Sequence, residues 1–185
     1  LGVQKGDYVT VVGANDFGNI LAQLLIYYQA VPIVLTTDDE SYEIAKNSGI
    51  YYTLGKDDNW QKEVSSITGG RMTDKVVYIY ESDIPIVKAF SLASFNAAVA
   101  ITGNTSGSIS ISFTQAIKKQ LDILCINNGF GNAASSINLI ANKAINLSQL
   151  KLDTAAYDNV PETFKKLSDE YEKTGKIYET IVDLI

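Results

Sequence analysis

Gly13 and Gly18 stand in the run VTVVGANDFGNILAQLLIYY, residues 9–28, with an apolar β-branched segment before them and a long apolar stretch after. A strand–turn–helix corner of this kind can seat a diphosphate. A first glycine allows the tight turn, a second lets the backbone approach the anion, and a third permits close packing of helix on strand. The phosphates then rest on amides at the helix N-terminus, where the helix dipole attracts negative charge. Gly13 and Gly18 hold the first and third places. Asn15 stands in the middle place; it tolerates a left-handed backbone better than most residues, but its side chain enters the space of the phosphates. Asp16 adds a negative charge beside it. A ligand-free strand, turn and helix would give the same glycine pair. The position of the turn, after the first strand of a longer series, favours the anion-binding reading.

A second test lies about 20 residues past such a turn, where an acid at the end of the second strand receives ribose hydroxyls. That spacing falls on Thr36, followed by Thr37 and Asp38. A neutral residue there suits a ribose 2′-phosphate, but sites of that type also supply Arg or Lys. Arg71, the single arginine, is not local, and Asp38, Asp39 and Glu40 would repel the extra phosphate. The choice between NAD and NADP therefore stays open, with Asp38 as a substitute hydrogen-bond acceptor. The local pattern favours a plainer role for these acids, as the N-cap and first turn of a helix.

Other chemistry is excluded by composition. The chain has no histidine and one cysteine, Cys125, which removes most imidazole-based general-base catalysis and nearly every zinc site. The lone cysteine points to a reducing compartment, the cytoplasm, and its place in an apolar run predicts a buried, inert thiol on a central strand. A net charge of −6 argues against a nucleic-acid or anionic-membrane partner. No apolar run reaches the ~18–20 residues that cross a bilayer. With 46% apolar and 19% charged residues among 185, the chain is folded and long enough for a sizeable core. Its abrupt start, LGVQKGDYV, suggests a piece excised from something longer.

The elements that must position these residues alternate along the chain. Strands are expected at 8–13, 32–37, 50–54, 75–80, 98–102, 108–113 and 121–126, and in KIYETIVDL near the end. Helices are expected at 18–28, 38–46, 60–67, 85–95 and 133–143, and over VPETFKKLSDEYEKTG, which begins with proline and stops at glycine. This alternation predicts an α/β domain: a Rossmann-type, doubly wound parallel sheet of about six strands with helices on both faces, forming a single domain over 1–185.

With these residues placed, the chain resembles the nucleotide-binding domain of the medium-chain, zinc-type alcohol dehydrogenases, in the branch of sorbitol and threonine dehydrogenases. The similarity runs from LGVQKGDYVTVVGANDFG through SYEIAKNSGIYYTL, KVVYIYESD, AVAITGNTSG and LDILCINNGFGN to the closing AINLSQLKLDTAAYDNVPETFKKLSDEYEKTGKI. The resemblance implies NAD(P) as cofactor and hydride transfer to or from an alcohol or carbonyl substrate. It also implies a separate catalytic domain that holds any zinc, so that this piece alone would be inactive and supplies no catalytic or metal residue.

Carried over position by position, the resemblance puts Gly13, Asn15, Phe17 and Gly18 at the pyrophosphate and Thr36, Thr37 and Asp38 at the adenosine ribose. Tyr80, Glu81 and Ser82 fall beside the adenine, in place of the family's small Ala-Thr-Gly. Gly103, Asn104, Ile126, Asn127 and Asn128 fall near the nicotinamide. The resemblance further implies a homodimer with sheets joined edge to edge. The alternating, uncharged run from Ser108 to Phe113 is the expected edge. Two other classes fit part of the pattern: a dinucleotide-sensing regulatory domain, and a degenerate domain kept for dimerisation.

Overall fold

The structure, a computed structural model, describes residues 1–80, 82–103, 111, 113–127, 131–150, 152–174 and 179–183. These fall into two compact units, Leu1–Ser148 and Gln149–Ile185.

The first unit is built on six parallel strands: β1 (Tyr8–Val12), β2 (Val31–Leu35), β3 (Tyr52–Leu54), β4 (Thr73–Ile79), β5 (Ala93–Thr102) and β6 (Asp122–Cys125). Their spatial order is β3-β2-β1-β4-β5-β6, the doubly wound order of a Rossmann sheet. Val9, Val11, Val12, Ile33, Val34, Leu35, Val76 and Val99 are fully buried. Strands covered on both faces need such near-continuous apolar runs. On one face Val12, Ile33, Leu35, Val76 and Tyr78 pack with Val64 of α3 (Trp60–Ile67) and with Ala89 and Phe90 of α4 (Ile86–Leu92). On the other, Val9, Val11, Val34, Val77 and Ile79 pack with Ala22 and Leu25 of α1 (Asp16–Tyr27) and Ala45 of α2 (Asp39–Asn47). The α/β fold expected from the alternating pattern is the observed one.

Three expectations are corrected. The helix placed over 85–95 ends at Leu92, and the chain enters β5 at Ala93. Ala93 pairs with Thr73 before a register irregularity between Thr73 and Lys75, so the strand starts earlier than its apolar run suggests. The strand expected over 108–113 is not a strand where it is described. Ile111 is irregular, and Phe113 opens α5 (Phe113–Lys119), whose last turn holds Lys118 and Lys119; residues 108–110 and 112 lie outside the described residues. Finally, β6 is the edge of the sheet rather than a central strand, and Cys125 is exposed there.

The end of α4 is completed from a distance. This helix passes directly into β5, so its last carbonyls have no following turn to satisfy them. The Lys119 ammonium donates to the carbonyls of Phe90 (3.1 Å), Ser91 (2.9 Å) and Ala93 (2.7 Å). Burial holds its pKa below the usual lysine value.

Past α6 (Ala133–Ala141), the chain returns to α1 through a buried polar network. Gln23 Nε2 donates to the Asn146 carbonyl at 2.9 Å and to Asn19 Oδ1 at 2.8 Å, and the Asn146 amide donates to Gln23 Oε1 at 2.6 Å. Asn19 Nδ2 donates in turn to Ser48 Oγ at 3.0 Å, beyond the end of α2. Inward-facing polar residues on an apolar helix are tolerated because each has partners.

The second unit contains β7 (Leu152–Ala156), α7 (Val160–Thr174) and β8 (Glu179–Asp183). Its two strands form a parallel pair in register Leu152↔Glu179 through Ala156↔Asp183. Strand β7 was not expected, because Asp153 and Thr154 break its apolar pattern.

Gln23→Ala strips both partners from the Asn146 backbone. The expected cost is about 1–2 kcal/mol, from the lost hydrogen bonds of a partly buried site. Chemical denaturation measures it, with faster hydrogen exchange at the Asn146 amide as the local signature.

Candidate functional site

In a parallel sheet with these connections, the residues after each strand leave at one common edge. The backbone shows this directly. Gly13 N donates to Leu35 O, Thr36 N to Leu54 O, Tyr80 N to Thr102 O and Ile126 N to Ile101 O, at 2.8–3.1 Å. The turns carrying Gly13, Thr36, Tyr80, Gly103 and Ile126 therefore line the carboxyl edge of the sheet, where open α/β sheets place their ligands. The strand order reverses between β1 and β4, and at that switch point Gly13 faces the loop after β4. A Cβ on Gly13 would lie 3.3 Å from Ser82 Cβ and from Ile79 Cβ, and its φ of +111° is one that residues other than glycine rarely adopt.

Gly18 meets the stricter limit. A Cβ there would stand 2.1 Å from the Gly13 carbonyl oxygen and 3.0 Å from Ile79 Cδ1. Both glycines thus perform the turn and close-packing roles read from their spacing. The middle position departs from the pattern in a specific way. Asn15 is the N-cap of α1, and its Oδ1 accepts from Gly18 N at 3.0 Å. Its φ of −61° and ψ of 177° are extended, so its tolerance for left-handed backbone is not used. Asp16 is half-buried in the first turn, and Phe17 is 50% exposed.

The three ribose candidates separate. Thr36 is buried, and its Oγ1 accepts from Asp38 N at 3.1 Å, so its hydroxyl serves the turn. Asp38 caps α2, accepting from Ser41 N at 2.8 Å and Ser41 Oγ at 2.6 Å. Thr37 and Asp38 are half-buried, and Asp39 and Glu40 continue the acidic first turn. The capping role expected for these acids is the observed one. Asp39 in turn pairs with Lys56 at 2.6 Å, and the hydrogen bond to Asp39 raises the lysine pKa.

Beyond β4, Tyr80 and Ser82 are half-buried. Ser82 Oγ accepts from Ile84 N at 3.2 Å. Gly103, Ile126 and Asn127 are exposed, whereas Glu81, Asn104 and Asn128 lie outside the described residues. Two contributors were missed in the sequence. Ile79 is the apolar floor under both glycines. Tyr78 is 5% exposed and donates its hydroxyl to Ile84 O at 2.9 Å, pinning the loop that carries Ser82. A tyrosine inside an apolar strand needs a partner for its hydroxyl, and that requirement was the available signal. Among the described residues no group of three or more His, Cys, Asp or Glu could hold a metal ion, and no helix is long and apolar enough to cross a membrane. An open cavity of about 470 Å³ at residues 56–61, Lys88, Ser91 and Leu92 is lined by none of the residues singled out in the sequence.

Strand order and switch-point geometry together define a Rossmann-type domain. No family model matches the chain. In sequence it is 26% identical, over 177 residues and 95% of its length, to an uncharacterised zinc-type alcohol dehydrogenase-like protein of Haemophilus influenzae. The chain spans about half, 52%, of that relative. In structure it is similar to an alcohol dehydrogenase of Escherichia coli CFT073 solved with NADH (TM-score 0.75, 20% identity, 97% of this chain and 52% of that one). It is also similar to the 2R,3R-butanediol dehydrogenase of Bacillus subtilis (TM-score 0.80, 15% identity, 100% and 52%). The resemblance to the nucleotide-binding half of zinc-type alcohol dehydrogenases, read from the sequence, stands.

Burial raises the Tyr78 phenol pKa above its ordinary 10, with Tyr80 adding to the effect. A raised folded-state pKa contributes stability that is present below pH 10 and lost as pH climbs through the raised value. Tyr78→Phe should remove this alkaline component and cost about 1 kcal/mol at neutral pH, where Ile84 O loses its donor. Comparing urea midpoints of the two proteins from pH 7 to 11 isolates the effect from the other tyrosines.

Proposed function

We propose that this chain, 1–185, is the NAD(P)-binding domain of a zinc-type alcohol dehydrogenase-like oxidoreductase that moves hydride between the nicotinamide and an alcohol or carbonyl substrate. The observation that carries the reading is the Gly13–Gly18 corner at the strand-order switch, where one glycine adopts φ +111° and the other admits no Cβ. The corner also lies at the carboxyl edge of the sheet, where open α/β sheets place their ligands. The similarity over 95% of the chain to a zinc-type alcohol dehydrogenase-like protein supports the same conclusion.

The bound dinucleotide supplies the redox chemistry. The residues of this chain bind and orient it: the first turn of α1 faces the diphosphate, Thr37 and Asp38 the adenosine ribose, Tyr80 and Ser82 the adenine, and Gly103, Ile126 and Asn127 the nicotinamide. NAD is favoured over NADP, because a 2′-phosphate would approach Asp38, Asp39 and Glu40 while the nearby Lys56 is engaged by Asp39. Any zinc would be held by a separate catalytic domain, and the fragment alone would turn over no substrate. The proposed setting is the cytoplasm, with neither nucleic acid nor membrane as partner. A homodimer would form through β6, the sheet's edge. Leu124 and Cys125 are exposed there, as are Phe113 and Ile117 on α5, in place of the edge expected over 108–113.

Calorimetric titration of the 185-residue chain should give millimolar or tighter binding of NADH and weaker binding of NADPH. Binding of neither would leave only the architecture. Sedimentation that shows a monomer at every concentration would remove the homodimer.

A further inference from the structure

One position of the corner, Asn15, departs from the glycine pattern of a dinucleotide turn. In the reading above, the first-turn amides of α1 receive the diphosphate. The Asn15 side chain is folded over that same turn, its Oδ1 3.0 Å from Gly18 N. We propose that Asn15 is a plug: its side chain competes with the diphosphate for the start of α1, so that the site fills only by giving up its own helix cap. This inference rests on the proposed dinucleotide reading and adds the residue that sets how tightly the site binds.

Four observations support it. Gly13 and Gly18 both satisfy their steric roles, so the corner is intact except at its middle position. The backbone of Asn15, at φ −61° and ψ 177°, suits any residue, so no local geometry demands an asparagine. Capping alone does not demand it either, since glycine at an N-cap is only slightly worse. Lastly, Asp16 adds a carboxylate in the same first turn. The positive end of the helix is therefore already answered by groups of its own chain. An arriving diphosphate must displace one of them and sit beside the other.

The consequence is a pair of opposed effects. Removing the Asn15 side chain should weaken the helix and strengthen the ligand. A residue with a purely structural role would move stability and affinity in the same direction or leave affinity alone.

The test compares the 185-residue chain with its Asn15→Ala and Asn15→Gly variants. Each is titrated by calorimetry with NADH, ADP and adenosine, and thermal midpoints are recorded in parallel. Asn15→Ala should bind NADH and ADP about fivefold more tightly, the worth of a typical N-cap, with adenosine unchanged and the midpoint lowered. Asn15→Gly should tighten ADP by a smaller factor with a smaller loss of midpoint, and it carries the test if the alanine variant fails to fold. Binding by a variant where the natural chain binds too weakly to detect supports the plug. ADP binding equal to or weaker than that of the natural chain in the folded variants overturns it; NADH binding by the natural chain would then leave the dinucleotide reading intact. Equal tightening of adenosine and ADP also overturns it, since the effect would not lie at the diphosphate. No binding of any probe by any of the three proteins overturns both.

Discussion

Helix α1 begins against the last turn of β1 at a distance only a hydrogen atom can occupy. The 2.1 Å between a hypothetical Gly18 Cβ and the Gly13 carbonyl oxygen sets this limit, and much of the first unit follows from it. With the helix held that close, Ala22 and Leu25 reach Val9 and Val11 on the sheet, so small residues suffice along the seam. The same approach aims Gln23 and Asn19 at the backbone of Asn146 and the hydroxyl of Ser48. One close contact therefore fixes the apolar packing of α1 and the polar tie that brings the chain back after α6.

The charge pattern of the sheet's two edges follows from its winding. Each helix that succeeds a strand starts at the carboxyl edge and runs back, so helix N-termini gather on one side. Their first turns hold Asp16, Asp39, Glu40 and Glu63, while Lys46, Lys118 and Lys119 occupy last turns. Helices α1, α2, α3 and α5 thereby each carry a charge matched to their dipole, which stabilises the fold. The same arrangement gathers carboxylates at the carboxyl edge of the sheet. The corner proposed to take a diphosphate is thus flanked by charges that oppose an anion, and in that proposal the side chain lying across the first turn of α1 sets the affinity.

Much of this was legible in the sequence where a single local rule controlled the outcome. The β-branched runs around Val11, Val34 and Val77 read as strands buried on both faces, and the acids after Thr37 read as a cap and first turn because they open a helical pattern. The failures share a cause. The early start of β5 depends on pairing of Ala93 with Thr73, a partner far away in the sequence. Phe113 closes an alternating run in the sequence, but it opens a helix whose last turn holds Lys118 and Lys119. Cys125 is as apolar in context as any core residue, and only strand order reveals that β6 is the last strand of the sheet among the described residues. At the ligand edge the residue types were visible but their commitments were not: Thr36 is spent on its own turn, and Tyr78, silent as a ligand candidate, secures the loop after β4.

Lys119 carries a consequence of a different kind. Its ammonium closes the carbonyls of Phe90, Ser91 and Ala93 from 26 to 29 residues downstream. An ordinary C-terminal cap forms with its own helix; this one exists only once α5 has docked. Loss of the last turn of α5 removes the donor from three carbonyls at the junction of α4 and β5, so the order of one helix end depends on the docking of another.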